Sequence, residues 1–252
     1  NIPDIVIDGT VIKVNYEIRN DLSYTIKYVE QDTNVELRSS DVKLNQTYGA
    51  EVIEKSPTID GYININPEET ITITTGLNEI VFKYAKQTDL SYTVRYVDQE
   101  TGNEIRSAVT YDGQVFDSEV TEEAPDVEGY TKVNPEETIT ITTGTNEIIF
   151  YYEKVDGLTY TVEYLEKDTN KEISLPKVVD EKVYGDEVTE NAIDIDGYVK
   201  VEPTSETITI GMNENVIKFY YTKRTDLSYT VKYIDQETGD EIRSAVTYNN
   251  QV

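Results

Sequence analysis

Leu22-Ser23-Tyr24-Thr25 opens a pattern that the chain repeats, and this stretch decides the fold. The same kind of tetrapeptide returns at Leu90, Leu158 and Leu227, at intervals of 68, 68 and 69 residues. A fixed period of this size predicts a tandem array of small domains, each folding from its own copy of the pattern. Such copying is typical of chains that provide reach, rigidity or multivalent binding.

The period predicts three whole repeats and two partial ones. Residues 21–88, 89–155 and 156–225 are the whole repeats. Residues 1–20 are predicted to be the closing strand of a preceding repeat, and residues 226–252 the opening hairpin of a following one. We therefore expect the chain to be a segment of a longer protein. The unpaired β edges at its two ends also raise the alternative of end-to-end self-association.

Composition limits what can hold each repeat together. The net charge is −27, Cys, His and Trp are absent, and 21 residues are Tyr. Without Cys there are neither disulfides nor thiolate metal sites, so each repeat of about 68 residues relies on its own small core. The acidity argues against nucleic acid and against an anionic membrane surface as partners. No apolar run is long enough for membrane insertion.

Alternation with period two predicts β-strands. Leu22, Tyr24, Ile26 and Tyr28 point to one side of the first segment and the residues between them to the other, which is typical of a half-buried strand. The polar turn at residues 98–103 and the strand after it predict a hairpin in the second repeat. The expected fold class is mainly β, a tandem array of small five-stranded β domains.

The rest of the repeat is predicted from its turn residues. Residues 116–125 are expected to hold one short helix or only a turn. Gly129-Tyr130 opens a third strand, residues 138–142 form a fourth and residues 147–152 a fifth. The few residues between repeats are polar but not rich in Gly and Ser, so we expect the domains to stack as a semi-rigid, elongated rod.

Tyrosines are the candidate ligand-binding residues. Most lie on the apolar side of a strand, where a core role is the simpler explanation. Tyr62, Tyr130 and Tyr198 each follow a Gly beside a turn, where an exposed ring can stack on a sugar. They are the predicted ligand-binding residues. The Gly itself indicates a left-handed or closely packed backbone position.

Acidic turns at residues 98–104 and 235–241 raise the alternative of Ca²⁺ binding. Calcium takes six to eight oxygen ligands, and the spacing here does not match an EF-hand loop. A solvated hairpin turn is the preferred interpretation. We therefore expect no metal site and no cofactor, with Ca²⁺ as the alternative.

Residue types needed for catalysis are scarce. There is no His for proton transfer, no Cys nucleophile and no Gly-rich phosphate loop, so the chain is expected not to be an enzyme. A Lys–Asn isopeptide staple would need a lysine at one repeat position. Position 27 is Lys, but its copies are Arg95 and Glu163, so no such staple is expected.

Several strings resemble the MucBP repeat family. They are the opening at residues 92–105, the Pro-Glu-Glu-Thr-Ile-Thr-Ile run at 135–141 and the closing stretch at 146–152. The resemblance implies a mainly β, β-grasp-like fold, a cell-wall-anchored surface protein of a Gram-positive bacterium, and mucin as the ligand. The third repeat departs from the pattern, because Asn170 replaces the turn glycine and Gly211-Met212 alters the stretch after the fourth strand.

Two functions remain open. The first is the repeat region of a bacterial surface adhesin that binds host mucin or other glycoprotein glycans multivalently. The alternative is a structural stalk that binds nothing and projects a distal domain from the cell wall. The charge of −27 disfavours recognition of sialate by charge, so neutral sugars, a cation bridge or a peptide fit better.

Overall fold

A computed structural model describes residues 8–9, 11 and 13–251, which contain strands and turns but no helix. The first repeat contains β1 (Leu22–Glu30), β2 (Glu36–Gln46), β3 (Glu51–Lys55), β4 (Tyr62–Asn64), β5 (Glu68–Thr72) and β6 (Glu79–Lys86). The second contains β7 (Leu90–Asp98), β8 (Glu104–Gln114), β9 (Glu119–Glu123), β10 (Tyr130–Lys132), β11 (Glu136–Thr140) and β12 (Glu147–Lys154). The third contains β13 (Leu158–Glu166), β14 (Glu172–Lys182), β15 (Glu187–Asn191), β16 (Tyr198–Lys200), β17 (Ser205–Thr209) and β18 (Val216–Lys223). A hairpin of β19 (Leu227–Ile234) and β20 (Glu241–Gln251) follows.

The chain forms two compact units, and the boundary between them runs through the second repeat. One unit comprises Asn1–Arg95, Ala108–Glu122 and Glu137–Ile148. The other comprises Tyr96–Ser107, Glu123–Glu136 and Ile149–Val252. The first repeat therefore lies in the first unit and the third repeat in the second.

Each whole repeat contains a four-stranded sheet with its first strand near the centre. In the first repeat the strand order is β2-β1-β6-β4. Strand β1 pairs antiparallel with β2 and parallel with β6, and β4 pairs antiparallel with β6. Parallel neighbours need a long crossover. Here the crossover contains the two-stranded β3–β5 ribbon instead of a helix. The second and third repeats have the same strand order.

The mainly β fold class is confirmed, but each repeat has six strands instead of five. Residues 116–125, expected to hold a short helix or a turn, contain strand β9, which pairs with β11. The strand is hard to recognise because Glu122 occupies an inward position along with Val120. The Tyr92 hydroxyl donates a hydrogen bond to the Glu122 carboxylate, so the core accepts an acid there.

The alternation predicted for the opening strand is confirmed by burial. The core of the first repeat is formed by Leu22, Tyr24, Ile26, Tyr28, Ile73, Ile80, Phe82 and Tyr84. The third repeat has an equivalent core. These residues come from β1, β6 and the end of the ribbon, so the core lies between the sheet and the ribbon. The assignment to the core is confirmed for Tyr24, Tyr28 and their copies in β7 and β13, whereas Tyr229, the copy of Tyr24 in the terminal hairpin, is 53% exposed.

Core tyrosines also connect the two layers through their hydroxyl groups. The Tyr84 hydroxyl donates to the Pro57 carbonyl over 2.8 Å, and Tyr152 and Tyr221 make the matching bonds to Pro125 and Ile193. Buried phenol groups need such partners, because an unpaired buried polar group costs free energy. Each of these tyrosines therefore buries apolar area in the core and also makes a directional hydrogen bond between the layers.

A buried asparagine fixes the turn between the fifth and sixth strands. The Asn78 carboxamide accepts from the Thr74 amide and donates to the carbonyls of Thr74 and Ser23. Asn146 makes the same set of bonds in the second repeat. Because Ser23 lies on β1, this side chain attaches the turn to the central strand.

The two terminal segments differ in structure. Of residues 1–20, predicted as a closing strand, positions 1–7, 10 and 12 lie outside the described residues, and the described ones form no strand. Residues 226–252 contain the hairpin, whose pairing of Leu227 with Gln251 matches that of Leu22 with Gln46. The proposed domain boundaries and the self-association of the ends stay predictions.

The Asn78→Ala variant is expected to lower the free energy of unfolding by about 1–3 kcal/mol, because three backbone groups lose their partner. Hydrogen exchange of the core-strand amides of the substituted repeat measures the change, because unfolding of an array is not two-state. The matched control is Asn103→Ala, because the Asn103 side chain is exposed; we expect a change within about 0.5 kcal/mol. Equal effects of the two substitutions would contradict the structural role of Asn78.

Tyr24 makes stability sensitive to alkaline pH. Burial, together with the hydrogen bond to Glu54, raises the pKa of Tyr24 to about 12 from an ordinary value of 10. A raised folded-state pKa stabilises the fold below pH 10, and this contribution is lost as pH rises towards 12. Tyr24→Phe should be less stable than the parent at pH 8, with the difference shrinking between pH 10 and 12. A difference that does not depend on pH would contradict this.

Candidate functional site: the Gly–Tyr surface

The three predicted ligand-binding tyrosines occupy equivalent places in the fold. Tyr62, Tyr130 and Tyr198 are the first residues of β4, β10 and β16, which are edge strands of their sheets. Each is half-buried and follows a glycine with a φ of +78°, +78° or +81°. We call each glycine–tyrosine pair, with the side chains opposite it, a Gly–Tyr surface.

A lysine lies across from each tyrosine. Tyr62 pairs with Lys86, Tyr130 with Lys154 and Tyr198 with Lys223 in the antiparallel ladder. A lysine therefore does recur at one repeat position, so the argument from position 27 was wrong and the absence of a Lys–Asn staple stays a prediction. A carboxylate from the end of the central strand stands near the lysine, as in the third repeat, where Lys223 Nζ lies 3.6 Å from Glu166 Oε1. Each surface therefore offers a phenol, an ammonium group and a carboxylate.

The carboxylate of the second repeat, Asp98, is held by its own turn. The residue is 3% exposed, and its Oδ1 accepts from the amides of Glu100 and Thr101 at 3.0 and 2.9 Å. Burial raises the pKa of Asp98, but these bonds outweigh burial and hold the pKa below its usual value.

Asp235 accepts from the amides of Glu237 and Thr238 in the same way. The described part of the chain contains no group of three or more metal-ligating side chains. In both acidic turns the aspartate oxygen is directed at backbone donors of its own turn. Calcium binding stays an untested alternative.

Two Gly–Tyr surfaces are in contact with an aromatic residue of the following repeat. The Phe116 ring lies 5.5 Å from the Tyr62 ring at 65°, and the Tyr184 ring lies 6.0 Å from the Tyr130 ring at 64°. Both aromatics follow the last residue of the repeat's second strand by two positions. We call this position, which is Tyr48 in the first repeat, the loop aromatic.

These contacts explain the glycines. A Cβ atom on Gly61 would lie 2.4 Å from three carbons of the Phe116 ring, and one on Gly129 would lie 2.3 Å from the Tyr184 ring. Real Cβ atoms do not approach so closely. The glycine is therefore required by the neighbouring ring as well as by its left-handed backbone.

One linker residue is bonded to both neighbouring repeats. The Gln87 amide donates to the Gly61 carbonyl over 2.9 Å, and the Gln87 carbonyl accepts from the Phe116 amide over 2.8 Å. Val155 makes the same two bonds, with Gly129 and Tyr184. The short connection between repeats is thus held by backbone hydrogen bonds on each side.

Polar contacts distinguish the first of these joints from the second. Lys86 Nζ lies 3.1 Å from the Asp117 carboxylate, and the Thr143 hydroxyl donates to Asp60 over 2.9 Å. The third repeat has Gly185 and Met212 at the positions of Asp117 and Thr143, so it offers neither group. The bond to Asp117 raises the pKa of Lys86.

The third Gly–Tyr surface has no described side chain against its glycine. The Arg224 amide donates to the Gly197 carbonyl over 2.8 Å, as at the other joints. A Cβ atom on Gly197 would meet no described atom within 4 Å. A groove of about 570 Å³ lies here, lined by Asp196, Tyr198, Lys200 and Arg224 among others. The loop aromatic of the first repeat, Tyr48, is 54% exposed.

The loop aromatics are the functional residues that sequence reasoning missed. The signal was present, because Tyr48, Phe116 and Tyr184 recur at one repeat position. Nothing within a single repeat explains them, since they lie outside the alternating strand pattern. Their role becomes visible only when two consecutive repeats are placed together.

A known protein family matches two consecutive repeats of this chain. The family model of the MucBP domain matches residues 92–153 and 159–222, which together make up half of the chain. The chain belongs to the MucBP domain family. It is a tandem array of β-rich repeats of the kind found in surface proteins of Gram-positive bacteria. No catalytic family is indicated, and among the described residues no helix is long and apolar enough to cross a membrane.

Several solved structures are similar at low sequence identity. The Bacillus anthracis TIE protein is 14% identical with a TM-score of 0.40; the match covers 80% of this chain and 50% of that one. A type 2 repeat of the mucus binding protein MUB from Lactobacillus reuteri is 15% identical, with a TM-score of 0.20 and coverages of 54% and 100%. A streptococcal ancillary pilin is 12% identical, with a TM-score of 0.24 and coverages of 75% and 79%. The chain thus spans half the length of the TIE protein chain. No curated protein sequence matches it.

Gly61→Ala is expected to open the first joint, because the new methyl group would collide with the Phe116 ring. Gly197→Ala is the matched control, since it has the same backbone conformation without a neighbouring ring. We expect the control to cost about 1–2 kcal/mol of left-handed strain. Gly61→Ala should cost about 1–3 kcal/mol more.

Hydrogen exchange of the Phe116 amide measures this joint locally, because unfolding of an array is not two-state. Gly61→Ala should accelerate that exchange at least tenfold, and Gly197→Ala should leave it unchanged. Equal exchange of the Phe116 amide in both variants would contradict the role assigned to Gly61.

Proposed function

We propose that this chain is a repeat region of a bacterial cell-surface adhesin that binds host mucin or other glycoprotein glycans multivalently. The observation that carries the proposal is the tandem match to the MucBP domain over two consecutive repeats, each with a complete set of six strands. Weak sites repeated along one chain gain affinity through effective concentration, without any new contact.

The Gly–Tyr surfaces are the proposed glycan sites. A groove of about 440 Å³ lies beside Tyr62 with Phe116 in place, and Asp60, Gln87 and Thr143 also line it. A groove of about 270 Å³ lies beside Tyr130, with Asp98, Asn103 and Lys154. An aromatic ring among hydroxyl, amide and charged groups suits a sugar, which presents apolar ring faces and many hydroxyl groups.

Neutral sugars are the proposed ligands. The chain carries 49 acidic and 22 basic residues, so a sialylated or sulfated glycan is repelled at long range. Only one lysine faces each tyrosine across the ladder, and a carboxylate stands near it. The local charge therefore gives no site selective for an anion.

Binding to immobilised mucin before and after periodate oxidation of the sugars tests the proposal. We expect saturable binding that periodate abolishes. Tyr198→Leu should weaken it several-fold, because the leucine keeps apolar bulk but loses the flat ring. The control is Tyr151→Leu, which changes a tyrosine that is 40% exposed on β12 and should leave binding unchanged.

A structural stalk is the second candidate function. The linker residue favours it, because two backbone hydrogen bonds hold Gln87 between repeats and the same pair of bonds holds Val155. A spacer needs such joints, whether or not it binds a ligand. Absence of binding to mucin in the assay above, with and without Ca²⁺, would contradict the adhesin proposal and support the stalk.

A further inference from the structure

We propose that the ion pair between the first and last strands of a repeat determines which hairpin the last strand joins during folding. In the third repeat this pair, Glu163 with Lys218, favours the repeat's own hairpin β13–β14 and disfavours hairpin β7–β8 of the repeat before it. The inference concerns how the array folds and does not depend on glycan binding.

The topology of the repeat makes this choice necessary. Strand β18 pairs parallel with β13, and strands β14 to β17 lie between them in sequence. The pairing therefore closes a long loop, which carries an entropic cost and slows folding. A similar hairpin from a neighbouring repeat can compete for the same place beside β18. Misassembly between repeats is a characteristic failure of repeat proteins.

The core-facing residues do not distinguish the two hairpins. They are Tyr, Val and Tyr in both first strands, namely Tyr92, Val94 and Tyr96 on β7 and Tyr160, Val162 and Tyr164 on β13. All six are buried. Strand β18 presents Ile217, Phe219 and Tyr221, the same residue types that β12 presents at Ile148, Phe150 and Tyr152. Burial of apolar area thus favours β7 and β13 about equally as the partner of β18.

The opposite face of the sheet does distinguish them, because its ion pair is reversed. In the second repeat Arg95 Nη1 lies 3.5 Å from Glu147 Oε1. In the third repeat Lys218 Nζ lies 3.4 Å from Glu163 Oε2, and the two residues are partners in the parallel ladder. Glu163 stands at the repeat position of Arg95. The first strand therefore carries the base in the second repeat and the acid in the third.

This reversal penalises the wrong pairing. If β7 took the place of β13, Arg95 would be the ladder partner of Lys218, and like charges opposite each other are destabilising. The ion pairs are partly exposed, so each contributes little to the stability of a folded repeat. A small difference is nevertheless decisive here, because the two hairpins are otherwise matched. The first repeat, with Lys27 Nζ 2.6 Å from Glu79 Oε1, has the same charge order as the second.

An introduced pair of cysteines can report the wrong pairing, because the chain has no Cys of its own. Thr161 is the ladder partner of Val216, and Thr93 is the equivalent of Thr161 on β7. Cysteines introduced by Thr93→Cys and Val216→Cys become ladder partners, within reach of a disulfide, if β7 replaces β13. The full chain with both substitutions is unfolded in denaturant and refolded under oxidising conditions. Peptide mass spectrometry then measures the disulfide-linked fraction, and a sample oxidised without unfolding gives the background.

Reversing the ion pair of the third repeat should increase the linked fraction. Glu163→Lys with Lys218→Glu keeps an ion pair and the net charge, but Arg95 then faces an acid at position 218. We expect the linked fraction to rise about three- to tenfold. The matched control is Asp194→Lys with Lys200→Asp, which reverses an ion pair of 2.9 Å that does not join the first and last strands. The control should leave the linked fraction unchanged.

Reversing both repeats separates charge matching from a general loss of stability. Arg95→Glu with Glu147→Lys alone should also raise the linked fraction, because position 95 then attracts Lys218. Combining this reversal with that of the third repeat places like charges opposite each other again, so the linked fraction should return to the parent level. A combined variant that is linked as much as either reversal alone would overturn the proposal, as would single-repeat reversals that do not raise the fraction.

Discussion

A glycine backbone lying against an aromatic ring is the contact on which the joining of these repeats depends. The ring comes from one repeat and the glycine from the one before it, so neither repeat can satisfy the contact alone. The linker residue reinforces it, because its amide bonds the glycine carbonyl and its carbonyl bonds the amide of the loop aromatic. A side chain on the glycine would abolish the approach, and a small residue in place of the ring would leave the glycine exposed.

Within each repeat, too, a few side chains each have more than one structural role. Domains of this size bury a small core, and this chain has no cysteine to reinforce it. Tyrosine compensates for the small core and for the lack of disulfides, because its ring fills the core while its hydroxyl group donates a hydrogen bond to the opposite layer. The buried asparagine completes the repeat by attaching the last turn to the central strand.

Much of the repeat could be predicted from the sequence, because alternation, turn residues and periodicity are local signals. The tyrosines of β1 were assigned to the core only because they alternate with polar residues along the strand. Strand β9 could not be recognised, since Glu122 occupies a half-buried inward position, where the hydroxyl of the distant Tyr92 donates a hydrogen bond to it. The loop aromatics were missed for a related reason, because their partners lie in another repeat. A contact between two elements that are distant in sequence cannot be recognised from the sequence of either element alone.

Proton chemical shifts test the central contact most directly. A Cβ on Gly61 or Gly129 would point into the face of the neighbouring ring, so their α protons lie within its ring current. We expect upfield-shifted α protons at Gly61 and Gly129 and an ordinary shift at Gly197. We also expect Phe116→Leu to restore an ordinary shift at Gly61 and to leave Gly129 unchanged. Similar shifts at all three glycines, or no response at Gly61 to the loss of the ring, would contradict it.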